Sequence, residues 1–253
     1  MNSYIFNERS IAAETKQFYR QVLGVLYDSH VPFLAGGAYA LGCYTGITRD
    51  TKDFDVFIHP RDINPILKML RKAGYETELT DKKWLGKAFS GNSLVDIIFG
   101  FANGTARVDG DWFSNARQAK FLNFEVRIVP PEEMVWSKAY LMTRDRFDGA
   151  DIVHILLCQA ESIDWKRLLL RFDSDWRLLY NYLILFGYIY PTKRQRIPSW
   201  IMRQLAARLK EETKDKAPRR HVCRGTYLST TDYTIDVGLW EYADARKSRA
   251  KSA

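Results

Sequence analysis

The chain lacks a cysteine framework, a long apolar run and an apolar leader. Its three cysteines, Cys43, Cys158 and Cys223, stand far apart, form no Cys-x-x-Cys pair and leave an odd count. That pattern argues against both a disulfide-built scaffold and a structural zinc site, and a reducing, cytoplasmic compartment is expected. The most apolar stretch, Asp175 to Tyr190, is interrupted by Arg177 and Asn181. It therefore falls short of the roughly 20 uninterrupted apolar residues of a membrane helix, and no membrane partner is expected. Met1 to Lys16 carries Asn, Glu and Arg where a secretory signal has a short apolar core and a small-residue cleavage site, so secretion is not expected. Histidine is sparse too. His59 precedes Pro60 and reads as a turn residue, and His154 sits among Ile152, Val153, Ile155 and Leu156 at helical spacing, in the core or on the helix surface.

What is present is enough apolar material for one sizeable core, or a core with a satellite domain: 46 % apolar and 14 % aromatic residues in a chain of 253. The net charge of +8 is placed unevenly. Residues 191 to 253 hold 15 Lys+Arg against 7 Asp+Glu, whereas the preceding 190 residues hold 23 of each. A skew of this kind attracts a polyanion, nucleotide or nucleic acid, or serves as a solvated basic face.

Hydrophobic periodicity divides the chain into an α/β front and a helical back. Ile11 to Ser29 reads as a helix, Pro32 to Ala35 as a short buried strand ending at Gly36-Gly37, and Ala38 to Tyr44 as a helix opening directly after the glycines. Asp53 to Ile58 alternates acid with hydrophobe at period two, as a strand with one end at a site does. Ile63 to Lys72 is helical in pattern, and Tyr75 to Leu79, Leu94 to Phe99 and Phe124 to Val129 read as strands. After Pro130-Pro131 the pattern is helical over 132–141, 150–160, 165–172, 175–186 and 200–212. The predicted organisation is an α/β (α+β) core of mixed sheet and helices over 1–130, a helical region over 131–242, and a small, basic tail over 243–253 expected to fray.

Nucleotide transfer requires a cradle for triphosphate oxygens and carboxylates for divalent cations. Magnesium takes oxygen ligands, one or two of them protein carboxylates, and a pair of metals can activate the attacking oxygen and neutralise the leaving pyrophosphate. Acids at i and i+2 of a strand share a face, so Asp53 and Asp55 can converge on one metal pair. Asp96 is the only acid in the apolar run Leu94 to Phe99. A buried, unpaired carboxylate there would be costly unless it ligates a metal or meets a nearby Arg or Lys. Gly36 and Gly37 allow close backbone approach to phosphate at a helix N-terminus. Arg49, Thr51 and Lys52, just before the acids, can add charge and a hydroxyl to the same triphosphate.

Taken together, Gly36-Gly37, a short helix, the stretch Thr48 to Ile58 with its Asp53-Phe54-Asp55, and Val95-Asp96-Ile97-Ile98 resemble the polymerase-β nucleotidyltransferase superfamily. The likeness is greatest to its small bacterial branch, which includes AbiEii-type toxins and aminoglycoside and lincosamide nucleotidyltransferases. Two features depart from that pattern: Gly37 replaces a frequent serine, and the interval to Asp53 is slightly long. Lys138, Arg144, Asp148 and Asp151 resemble a downstream block of the AbiEii-like members, where the lysine is associated with nucleotide and an aspartate with catalysis. On that resemblance Lys138 is a phosphate ligand, and Asp148 or Asp151 orients or deprotonates the acceptor, although Asp148 can equally cap the helix that follows it. The resemblance implies a metal-dependent enzyme using Mg²⁺ or Mn²⁺ and an NTP. It would transfer NMP to a hydroxyl or phosphate acceptor, either RNA (tRNA) or a small molecule, and release pyrophosphate. Asp53, Asp55 and Asp96 would be the metal ligands. The other function class is a degenerate fold of this kind acting as an antitoxin or nucleic-acid-binding module, a reading that an intact acid triad opposes.

Overall fold

Alternation along one central strand organises the first half of the protein. In strand β3 (Asp53–Ile58), Phe54, Val56 and Ile58 are buried, while Asp53, Asp55 and Phe57 on the other face are half-exposed. The apolar face meets helix α1 (Ala13–Asp28), whose Phe18, Tyr19, Val22, Leu23 and Leu26 form one buried stripe at helical spacing. Tyr19, Phe54 and Phe121 form an aromatic cluster with ring centroids 5.0–6.5 Å apart. Burying such rings supplies much of a core's apolar area.

The coordinates are a computed structural model that describes residues 4–5, 11–49, 51, 53–216 and 220–249. The chain divides into two compact units, Met1–Pro130 and Pro131–Ala253. The first unit contains β1 (Tyr4–Ile5), β2 (Phe33–Ala35), β4 (Glu76–Asp81), β5 (Leu85–Ser90), β6 (Ser93–Ile98), β7 (Arg117–Phe121) and β8 (Phe124–Ile128) besides β3. Helices α2 (Gly37–Thr45), α3 (Ile63–Lys72) and α4 (Gly110–Ser114) accompany them. The strands form one mixed sheet in the order β1-β7-β8-β2-β3-β6-β5-β4. Strand β3 lies antiparallel to β2 and parallel to β6, with Asp55 paired to Asp96 in register. Strands β7 and β8 join through Leu122 and Asn123, both at positive φ, the conformation of a tight two-residue hairpin.

The second unit is mainly helical: α5 (Pro131–Ala139), α6 (Gly149–Gln159), α7 (Trp165–Phe172), α8 (Trp176–Ile189) and α9 (Ser199–Glu212). Its core gathers Ile152, Leu156, Leu168, Phe172, Leu179, Tyr182, Phe186, Ile201 and Leu205. Trp176, Tyr182 and Phe186 are buried packing residues, whereas Tyr188 is exposed. Buried Glu133 is held by Arg167 and by Arg171 at 3.0 Å, the pairing that a carboxylate in an apolar interior needs. The end of the unit adds β9 (Val222–Cys223), α10 (Thr234–Gly238), β10 (Ala243–Asp244) and α11 (Ala245–Arg249).

Sequence patterning does not show β1, β5 or β7. Leu85-Gly86-Lys87-Ala88 has little β-propensity of its own, and β5 exists because it pairs on both sides, with β4 and β6. The tail also differs from expectation at 243–249. Ala243 and Asp244 pair in parallel with Val222 and Cys223, and Arg246 binds the Asp244 carboxylate at 2.8–3.1 Å. Backbone pairing and this ion pair order a segment that has no large apolar residue. Lys52 and residues 250–253 lie outside the described residues. Among the described residues no helix is long and apolar enough to cross a membrane.

Candidate active site

Strand pairing brings three carboxylates to one face of the sheet. Asp53 and Asp55 share a face of β3, and Asp96 stands opposite Asp55 on the parallel neighbour β6. One carboxylate oxygen from each lies within 4.8 Å of the others. All three residues are half-buried, enough to strengthen their mutual repulsion over its value in open water. Burial pushes the Asp96 carboxyl above the usual range. Its lysine partner, Lys87, opposes that shift, and the negative charge of Asp53 adds to it. The field reaches further, because burial and then the charge of Asp53 push the Tyr19 phenol up to about 12.

The glycine turn is built against the same carboxylates. The Gly36 N–H donates to the Asp55 carbonyl at 2.9 Å, tying the end of β2 to the acid strand. Gly37 adopts φ +55°, and a Cβ there would lie 1.6 Å from Asp55 Oδ2. At Gly36 a Cβ would meet the Phe57 ring at 2.2 Å. A side chain at Gly37 would have to displace the Asp55 carboxylate, and one at Gly36 the Phe57 ring. The first turn of α2 follows at once, and a helix start leaves N–H groups without intrahelical partners. A backbone cradle thus opens beside three acids.

Thr51 and Arg49 flank the cluster differently. The Thr51 hydroxyl donates to Asp53 Oδ1 at 2.6 Å, so in this structure it orients a carboxylate. Arg49 is exposed.

The sequence leaves open whether Asp96 has a basic partner, and the structure supplies one. Lys87 Nζ on β5 lies 3.1 Å from Asp96 Oδ1. Register places Glu78, Lys87, Asp96 and Asp55 in one row across four strands. Lys87 escapes sequence reasoning because its strand does, and only a pairing prediction between 85–90 and 93–98 could have found it.

In the second unit Lys138, Asp148 and Asp151 do come together, as a closed ion-pair cluster. Lys138 Nζ lies 2.7 Å from Asp148 Oδ2 and 2.8 Å from Asp151 Oδ2, and Arg146 donates to Asp148 at 3.0 Å. Burial alone would raise the Asp148 carboxyl, but Arg146 and Lys138 outweigh it and hold the group below the usual aspartate range. Asp148 makes no side-chain cap to α6. His59 stacks on Phe113 with ring centroids 4.3 Å apart, just before the turn at Pro60.

The class defined by this fold is an α/β protein with a mixed sheet, a glycine turn and an acid triad, followed by a helical unit. No family model and no curated protein matches the chain. Solved structures to which it is similar include nucleotidyltransferases. One is the antibiotic-resistance factor ANT(2'')-Ia, at 16 % identity over 67 % of this chain and 96 % of that one, with a TM-score of 0.49. A second is the lincosamide antibiotic adenylyltransferase LnuA in a lincomycin-bound form, at 16 % identity over 57 % of this chain and 96 % of that one, TM-score 0.41. A third is an antigenic nucleotidyltransferase-like protein from Paracoccidioides brasiliensis, at 17 % identity over 73 % and 92 %, TM-score 0.46. At such identities none of them assigns a substrate to this chain.

Proposed function

We propose that the protein is a nucleotidyltransferase that moves an NMP from an NTP to a hydroxyl or phosphate acceptor. The observation that carries this reading is the convergence of Asp53, Asp55 and Asp96 beside a glycine turn too tight for a side chain. Three carboxylates with oxygens this close suit a hard divalent cation such as Mg²⁺ or Mn²⁺ and would repel one another without it. Asp53, Asp55 and Asp96 would hold the metal, whose chemistry is to neutralise charge on the phosphates.

The residues of this chain do the remainder. Gly37 and the start of α2 receive the β,γ-phosphates through backbone N–H groups, while the Gly36 N–H stays on the Asp55 carbonyl and holds the turn in place. Thr51 fixes the carboxylate of Asp53, and Arg49, with Lys52, adds positive charge on the approach to the triphosphate. The acceptor oxygen bonds to the α-phosphorus as its proton passes to Asp96. The α–β phosphoanhydride bond breaks, and pyrophosphate leaves with the electron pair. Lys138, Asp148 and Asp151 satisfy one another and hold the helical unit in this reading. The cytoplasm is the proposed compartment.

The test is incubation of the purified chain with each α-labelled NTP, Mg²⁺ or Mn²⁺, and either total cellular RNA or a panel of small hydroxyl acceptors. Label should appear in one acceptor fraction with matching pyrophosphate. An Asp53→Asn/Asp55→Asn variant that kept full transfer would end the proposal.

A further inference from the structure

Four cations of the last quarter of the chain line one cleft, together with Arg177 of α8. In the helical unit a cleft of about 1190 Å³ lies between the start of α8, the end of α9 and the β9 segment. Its wall carries five cations, Arg177, Arg208, Lys216, Arg220 and Arg224, against three acids, Asp175, Glu212 and Asp215.

Two of those acids are already satisfied. Asp175 accepts from the Tyr140 hydroxyl at 2.8 Å and lies 3.7 Å from Arg224 Nη1, and Glu212 is paired with Arg177. The buried indole of Trp176 forms part of the lining. The guanidinium groups of Arg177 and Arg208 each lie 5.0 Å from its ring centroid, which holds two charges over one aromatic plane. Arg208 is also anchored to the Asp173 carbonyl at 3.3 Å, and Arg224 to the Ser174 carbonyl at 3.3 Å. Lys216 and Arg220 are exposed at the mouth, and neither pairs with an acid among the described residues.

His221, between the lining residues Arg220 and Val222, packs against the exposed Tyr242 with ring centroids 5.5 Å apart. Fixed cations beside exposed rings match a phosphodiester chain with unstacked bases, since the cations track the backbone and the rings take base faces. The cleft is also larger than the ~300–1,000 Å³ of a small-molecule pocket.

We propose that this cleft is a binding site for single-stranded nucleic acid. It is lined by residues of the helical unit alone and does not depend on the transfer chemistry.

The experiment is fluorescence anisotropy of a labelled oligouridylate, and of the matching oligothymidylate, of about 12 nucleotides. Both are titrated with the whole chain across a range of salt concentrations, without NTP. Saturable binding of either strand is expected, weakened at least tenfold at ~100 mM salt by Lys216→Glu/Arg220→Glu. The slope of log affinity against log salt should become shallower by about 1.4, the loss of two single-strand phosphate contacts. Lys216→Gln/Arg220→Gln, which makes a smaller charge change, should give the same direction if the reversal variant folds poorly. Affinity and slope that both variants leave unchanged would overturn the site. Displacement of the strand by inorganic triphosphate at equal phosphate concentration would also overturn it, as a free-polyphosphate site. The Asp53→Asn/Asp55→Asn protein should bind the strand normally, so loss of transfer and loss of strand binding are read separately.

Discussion

Lys87 Nζ lies 3.1 Å from Asp96 Oδ1, directly across the β5–β6 pairing. The candidate metal cluster therefore contains a cation of its own: three acids and one lysine in a half-buried patch. The ammonium stabilises Asp96 while the site holds only protein.

Replacing that lysine separates its two effects. In Lys87→Met the Asp96 carboxylate loses its lysine partner, and metal-free stability should fall by about 1–3 kcal/mol, below the ~3–5 kcal/mol of a fully buried pair because both partners keep some exposure. Added Mn²⁺ should raise the melting temperature of the variant more than that of the parent and narrow the gap. A gap that Mn²⁺ leaves unchanged would show that Asp96 does not face the ion.

The glycine turn makes a steric prediction. Gly37→Ala combines a left-handed φ with a Cβ 1.6 Å from Asp55 Oδ2. It should cost about 1–2 kcal/mol in backbone strain and displace the acid, so that transfer falls about 10²-fold or more in a protein that still folds. Gly24→Ala is the control. It lies within α1 with open space around it and should raise stability by ~0.5–1 kcal/mol in urea denaturation while leaving transfer intact.

Thr51→Val keeps the shape of the side chain and removes its hydroxyl. Without the 2.6 Å bond to Asp53, calorimetric Mn²⁺ affinity should weaken about 10- to 100-fold, and Thr51→Ser should restore it. Equal affinity in the valine and serine variants would mean that the bond does not position the carboxylate.

The Lys138–Asp148–Asp151 cluster should appear in the pH dependence of stability. Unfolded, Asp148 titrates near the ordinary value of about 4. Folded, it lies lower, because Arg146 and Lys138 outweigh the effect of burial. Its contribution is therefore complete above about pH 4 and disappears as pH falls through the folded value. Asp148→Asn should cost about 3 kcal/mol at pH 7, with the difference from the parent shrinking on acidification. A constant difference from pH 7 to pH 2 would rule out this ion-pair role.

Local pattern by itself determined much of this protein. The period-two run of Asp53 to Ile58 placed two acids on one strand face, and Gly36-Gly37 marked a strand-to-helix turn, because strand and helix periods and glycine's backbone freedom are properties of neighbouring residues. Asp96 was legible as a lone acid in an apolar run, but its surroundings were not. That it stands opposite Asp55 and beside Lys87 depends on which strands pair and in what register, contacts between residues distant in sequence. The pairing that orders 243–249 is of the same kind. Only the tertiary structure showed that Gly37 has no room for a side chain, that Thr51 turns to Asp53, and that Lys138 already holds two carboxylates. Each is a matter of distances below about 4 Å between side chains, which no residue order specifies by itself.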